Sequence, residues 1–116
     1  MKSVLVIEDD ENIRAVIEHV LAFEGYPVHS ACDGQEALEL LERIPEPGLI
    51  LVDLTMPVMS GTQFLEHKRS DPRLKGIPTV VMTAVHQPTE LLESEELLPK
   101  PIALDQLCGT LHRLLH

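Results

Sequence analysis

The chain has 116 residues, of which 44% are hydrophobic, and carries a formal net charge of −10. That length and apolar content suit a single folded domain with one core, expected over residues 1–116, and exclude a disordered chain. No apolar run approaches the roughly 20 residues needed to span a bilayer, and the nine Lys and Arg are scattered, so membrane insertion and direct nucleic-acid binding are both excluded.

Met1-Lys2-Ser3 leads straight into Val4-Leu-Val-Ile7, which is not the pattern of a signal or transit peptide. The two cysteines, Cys32 and Cys108, lack metal-ligand spacing, and small half-buried thiols of a cytoplasmic protein are the expectation. Val4–Ile7 is short and apolar throughout, as in a strand buried on both faces of a parallel sheet. Glu8-Asp9-Asp10-Glu11 follows at once. From Asn12 the pattern turns helical, with Ile13, Val16, Ile17, Val20 and Leu21 forming one apolar stripe that Gly25 ends. Tyr26 to Ala31 reads as a modest strand. Asp33 and Glu36 have the spacing of a capping box, and Ala37, Leu40, Leu41 and Ile44 continue a second helix until Pro45.

Leu49 to Val52 is a third strand that delivers Asp53 at its end. Pro57 interrupts any regular element, and Ser60-Gly61 starts a helix running to about Arg69 with Phe64 and Leu65 inward. Lys68 on that helix is expected to lead its charge out to solvent along its aliphatic stem. Ile77 to Met82 is a fourth strand with Pro78 at its start, followed by Thr83-Ala84. Gln87 to Glu96 holds at most two helical turns, a stub around Pro88 to Ser94 that carries Glu90, Glu93, Glu95 and Glu96. Leu97-Leu98 is a short fifth strand, Pro99-Lys100-Pro101 a corner, and Ala103 to Leu115 a last helix with Leu104, Leu107, Leu111, Leu114 and Leu115 inward. His112 and His116 have helical spacing but no acidic third ligand nearby in sequence, so zinc is not expected there.

Strands alternating with helices imply a parallel sheet with right-handed crossovers and helices on both faces, an α/β doubly wound architecture. All strand C-termini then share one edge. Glu8-Asp9-Asp10, Asp53, Thr83 and Lys100 converge there, where open α/β sheets hold their chemistry. Clustered carboxylates repel one another unless a cation compensates, and oxygen-only ligands favour a hard divalent ion, Mg²⁺ above all. A metal, a hydroxyl and an ammonium can together hold three phosphoryl oxygens, and an aspartate can itself be the nucleophile of phosphoryl transfer. Asp10 and Glu11 fit a solvated helix start instead.

Val-Leu-Val-Ile-Glu8-Asp9-Asp10, Asp53-Leu-Thr-Met-Pro-Val-Met-Ser-Gly61, Val-Val-Met-Thr83-Ala84 and Pro-Lys100-Pro101 together resemble, in order, the signatures of the receiver domain of two-component response regulators. The resemblance covers the whole chain. It implies a flavodoxin-like (βα)5 fold with a five-stranded parallel sheet of order 2-1-3-4-5, here with the fourth helix shortened. By the same resemblance Asp53 is the phosphoacceptor. Glu8 and Asp9 hold Mg²⁺ together with Asp53 and the backbone carbonyl of Thr55. Thr83 is the switch hydroxyl and Lys100 the cation that meets the phosphoryl group. The implied partners are a histidine kinase or histidine phosphotransfer protein and a downstream protein target, with room for a weak homodimer. Docking is expected at Asn12, Arg14, Ala15 and Glu18 of the first helix and at Ile102. Such a domain is not an enzyme in the ordinary sense, since it catalyses only its own phosphoryl transfer and autodephosphorylation.

The chain departs from the family at Leu97, where receivers carry Tyr or Phe, and in the short span between Thr83 and Lys100. A second reading is therefore a degenerate receiver serving as a constitutive interaction module without a working switch. A haloacid-dehalogenase-type phosphatase would want an acid where Thr55 stands. A flavin-binding domain would not place Glu8-Asp9-Asp10 at its phosphate loop.

Overall fold

The computed structural model describes residues 2–54, 59–83 and 95–115. Within them the chain runs β1 (Val4–Ile7), α1 (Glu11–Phe23), β2 (Val28–Ala31), α2 (Gly34–Leu41), β3 (Leu49–Asp53), α3 (Gly61–Ser70), β4 (Thr79–Thr83), β5 (Glu95–Pro99) and α4 (Leu104–Leu115). Every strand pairing is parallel, and the strand order is β2-β1-β3-β4-β5. This is the expected doubly wound sheet. The shortened helix and Ala84 lie outside the described residues.

Side chains on β1, β3 and β4 alternate between two cores. Val4, Val6, Leu51 and Met82 meet Ile17 and Leu21 of α1 and Leu107 and Leu111 of α4. Leu5, Ile7, Ile50 and Val52 meet Ala37 of α2 and Phe64 and Leu65 of α3. All residues of β1, β3 and β4 are buried, which is why Val4–Ile7, Leu49–Val52 and Val80–Met82 read as unbroken apolar runs.

The helix ends follow local chemistry. Asp10 caps α1 through one carboxylate oxygen that accepts from the Asn12 and Ile13 amides at 2.9 and 3.1 Å. Gly25, at φ 89°, takes the left-handed conformation just past that helix. Asp33 caps α2 by accepting from the Glu36 amide at 2.8 Å. Glu36 does not return the bond of a capping box; its carboxylate instead lies 3.1 Å from the Cys32 sulfur. The reciprocal box is at α3, where Ser60 Oγ accepts from the Gln63 amide and Gln63 Oε1 from the Ser60 amide.

Five sequence expectations are corrected. The second strand begins at Val28, not Tyr26, because the Tyr26 amide donates to Leu21 O and still belongs to the turn after α1. β5 starts at Glu95, so Glu95 and Glu96 belong to a strand and not to a helical stub. Val16 and Leu104 are not core residues; they are 51% and 45% exposed, on either side of a groove between α1 and the start of α4. Lys68 does not reach solvent: it is fully buried, and its ammonium donates to Lys75 O at 3.0 Å. Finally, an acid does approach His112, since Glu24 of α1 lies 3.7 Å from its Nε2.

Candidate functional site

The C-terminal ends of β1, β3, β4 and β5 enclose a pocket of charge. Glu8 follows β1, and its amide donates to Ala31 O at 3.1 Å, which carries the β1–β2 ladder one residue beyond the strand. Its side chain turns inward and is 1% exposed. Asp9, next along, stays exposed at the rim. Asp53 is the last residue of β3 and is buried, with its backbone in register with Met82 of β4. Thr83 ends β4 and is likewise buried.

Lys100 follows β5. Its amide donates to Thr83 O at 2.8 Å, which sets the direction from which the side chain enters. Its Nζ lies 3.1 Å from Asp53 Oδ2 and 3.4 Å from Glu8 Oε2. The Lys100–Pro101 peptide is cis.

Gly61 admits the backbone to these positions, and Gly34 lets the start of α2 approach Met59. A Cβ on Gly61 would collide with the Asp53 carbonyl oxygen, and one on Gly34 would meet the Met59 side chain at 2.8 Å. The Gly61 amide donates to Leu54 O at 2.9 Å, so the start of α3 is drawn tightly against the end of β3. Arg14 is a residue whose role the sequence did not reveal. Its Nη1 donates to the Glu8 carbonyl at 2.9 Å, holding the acid turn from the α1 side. An arginine one turn into a helix reads as an exposed cation, and only the fold brings it back to β1.

Charge is unbalanced here. Glu8, Asp9 and Asp53 each place a carboxylate oxygen within 4.8 Å of the others, the one such group of potential metal ligands among the described residues. Burial first, and then the Asp53 charge, push the Glu8 carboxyl up to about 7, although Lys100 pulls the other way. Burial alone would lower the Lys100 ammonium, but the hydrogen bond to Asp53 and the charges of Glu8 and Asp53 outweigh it, and its pKa is raised. Among the described residues one ammonium faces three carboxylates, so negative charge is in excess. Of the groups brought together by the topological argument, Glu8, Asp9, Asp53 and Lys100 meet here and Thr83 ends the neighbouring strand, whereas Asp10 turns to cap α1. Thr55 lies outside the described residues.

A family model of the response regulator receiver domain matches residues 4–112. The chain belongs to that family. This receiver domain is 32% identical to the response regulator MprA of Mycolicibacterium vanbaalenii, over 97% of this chain and 49% of that protein. It thus spans about half the length of the first curated relatives that it matches. The chemotaxis protein CheY4 of Vibrio cholerae has the same fold, with a TM-score of 0.88 and 31% identity over 98% of both chains. The receiver domain of a sensor histidine kinase from Pseudomonas aeruginosa superposes with a TM-score of 0.86 and 26% identity, over 98% of this chain and 97% of that one. That domain was solved with a magnesium ion coordinated in its active site cleft. Receiver domains are signalling domains that interact with histidine kinases or phosphotransfer proteins and with effector domains. No described helix is long and apolar enough to cross a membrane.

Proposed function

We propose that this receiver accepts a phosphoryl group on Asp53, from a phosphohistidine of a kinase or phosphotransfer protein, and thereby changes its binding to a downstream protein. The observation that carries this reading is the meeting of Glu8, Asp9 and Asp53 within 4.8 Å, with the Lys100 ammonium 3.1 Å from Asp53. Three oxygen donors with no sulfur or imidazole fit Mg²⁺. The raised Glu8 pKa supports the fit, because a buried carboxylate held near neutrality is a group that a divalent cation would relieve. Glu8, Asp9 and Asp53 would hold the ion, with the Thr55 carbonyl as the remaining protein ligand. When bound, Mg²⁺ supplies neutralisation of charge on the phosphoryl oxygens.

The protein's own groups do the positioning. A carboxylate oxygen of Asp53 forms the new O–P bond while the P–N bond to the donor imidazole breaks and its electron pair returns to the ring nitrogen. Lys100, already beside Asp53, follows the charge onto one phosphoryl oxygen, and the Thr83 hydroxyl donates to another. Water attack on the same phosphorus would regenerate Asp53, the autodephosphorylation expected of the family. A docking face for the donor protein is supported by the apolar groove of about 300 Å³ beside Lys100, lined by Ile13, Val16, Ile102 and Leu104.

Incubation with acetyl phosphate and Mg²⁺, followed by intact mass, tests the reading. The expected result is a gain of one phosphoryl group that is lost in Asp53→Asn. An unmodified wild type, or equal modification of the variant, would sink it. The alternative of a constitutive module rests on Leu97, 45% exposed on β5 where the family carries an aromatic ring.

A further inference from the structure

We propose that the Arg69–Glu95 ion pair, with its carboxylate buried, fixes the register of β5, and through it positions Lys100 at the acid pocket. The inference rests on the reading of Lys100 as the partner of the phosphoryl group.

Register is ordinarily set by which side chains must face the core, since a one-residue slip turns every side chain to the other face. In β5 that signal is degenerate. The strand reads Glu95-Glu96-Leu97-Leu98-Pro99, two doublets and a proline. In the observed register Leu98 pairs with Met82 and is buried against α4, while Leu97 stands half exposed on the opposite face. Suppose the strand advances by one residue. Leu97 then fills the slot of Leu98, and Glu96 takes the exposed position of Leu97. Hydrophobic burial is kept, and a charge even gains water.

The consequence for the pocket would be severe. Pro99 would stand where Lys100 now begins, and the lysine would be carried about 3.3 Å onward and turned to the other side. Two things oppose the slip. Thr83 O would lose its donor, because Pro99 has no N–H to replace the 2.8 Å bond from Lys100. Arg69 would lose its carboxylate, with Ser94 arriving in place of Glu95. The second is the larger, because a backbone hydrogen bond is modest in net terms, whereas a forked, charge-assisted pair of bonds to a carboxylate is stronger.

The pair is built for that task. The Glu95 side chain is 0% exposed and that of Arg69 29%, and Arg69 donates to the carboxylate in a fork, Nε to Oε2 at 3.1 Å and Nη2 to Oε1 at 2.5 Å. Lys68, on the same turn of α3 and fully buried, is close enough for the Glu95 charge to act on it. The Lys68 ammonium is itself directed to Lys75 O, so the grip on the carboxylate at the first residue of the strand is that of Arg69. Glu96, on the other face, holds Arg113 of α4 at 2.6 Å, but both partners there are partly exposed, so that pair constrains less.

The test is a double-mutant cycle read by binding of beryllofluoride with saturating Mg²⁺, measured by calorimetry and ¹⁹F NMR. Arg69→Ala is expected to weaken binding roughly tenfold or more, the scale on which small misplacements of a working group are felt. In a Lys100→Ala background the same substitution is expected to change affinity less than twofold, because the group it positions is gone. Equal fold-losses in the two backgrounds, or no loss in a folded Arg69→Ala, would overturn the proposal. Should Arg69→Ala fail to fold, Glu95→Gln keeps the side-chain shape while removing its charge, and the same cycle applies. A wild type that binds no beryllofluoride would remove the reading of the site but not the pin. The pin is then read from amide hydrogen exchange at Lys100, expected to speed up at least tenfold in the variant while Val6 and Leu51 hold; an unchanged Lys100 amide would refute it.

Discussion

Two buried charge clusters sit at opposite edges of the same sheet, and they differ in balance. At the C-terminal edge, Lys100 faces Glu8, Asp9 and Asp53, so negative charge is in excess. At the other edge, Arg69 grips the one carboxylate of Glu95 in a fork, and the Lys68 ammonium beside it is bound to a backbone carbonyl. Among the described residues the first arrangement has more carboxylates than cations, whereas in the second each named charge has a direct partner. A buried charge is thus not by itself a sign of chemistry. What marks the pocket is the sign of what is missing.

That contrast can be broken by substitution. The largest effect is expected at the pocket: Asp53→Asn abolishes phosphorylation by acetyl phosphate, and Lys100→Ala slows it by roughly a hundredfold, in line with removal of one preorganised charge-stabilising donor. Time-resolved intact mass reads both. Next is the opposite edge, where Glu95→Ala removes the carboxylate from the Arg69 fork. A loss of about 1.5–3 kcal/mol is expected from urea denaturation, the usual contribution of hydrogen bonds to a charged group.

The pocket's own instability should show in its pH dependence. Glu8 has a folded-state pKa of about 7, above its ordinary value of 4.5, so the folded chain binds more protons than the unfolded one between those limits. Stability in the absence of metal is therefore expected to fall as pH rises from about 4.5 through 7, by a few kcal/mol at most. Glu8→Gln should flatten that slope, and Mg²⁺ should restore stability on the alkaline side, where it meets no competing proton. Urea midpoints at pH 5.5 and 8 with and without Mg²⁺ separate the three cases; identical midpoints for wild type would dismiss the idea.

The smallest effect belongs to Lys68. Burial lowers its pKa, so its charged form is a burden on the fold at neutral pH. Lys68→Met is expected to raise stability by about 1 kcal/mol, since an apolar replacement of similar length removes that burden. The sign reverses the usual alkaline trend. Wild type should gain on the variant as pH climbs from the lowered folded value toward the ordinary lysine value, because the folded chain releases its proton first.

Much of the pocket was legible from sequence because the strands that carry it are unambiguous. Val4–Ile7 and Leu49–Val52 are buried on both faces, so their ends, and the acids following them, could be located to the residue. The topology then placed Glu8, Asp53, Thr83 and Lys100 on one edge without any side-chain information. The failures have a common physical origin, in polar groups that are buried and apolar ones that are not. Glu95 at 5% exposure lies inside a strand, and two adjacent glutamates look like the solvated end of a helix until Arg69 is seen beneath one of them. Lys68 could not be read as buried because its acceptor, Lys75 O, belongs to a loop that returns under α3. Val16 and Leu104 obey helical periodicity and yet face a groove, because periodicity gives a face and not what stands opposite it.

Gly61 has a meaning apart from the chemistry beside it. Any side chain there would strike the carbonyl of Asp53, so the position answers to the seating of α3 on β3 and not to phosphoryl transfer. On the proposed function, a lineage descended from this chain that lost phosphoryl transfer would be free to drift at Asp53 and Lys100, but it would keep this glycine. Among diverged relatives, an intact Gly61 beside a replaced Asp53 would be the fossil of a receiver that still folds and no longer listens.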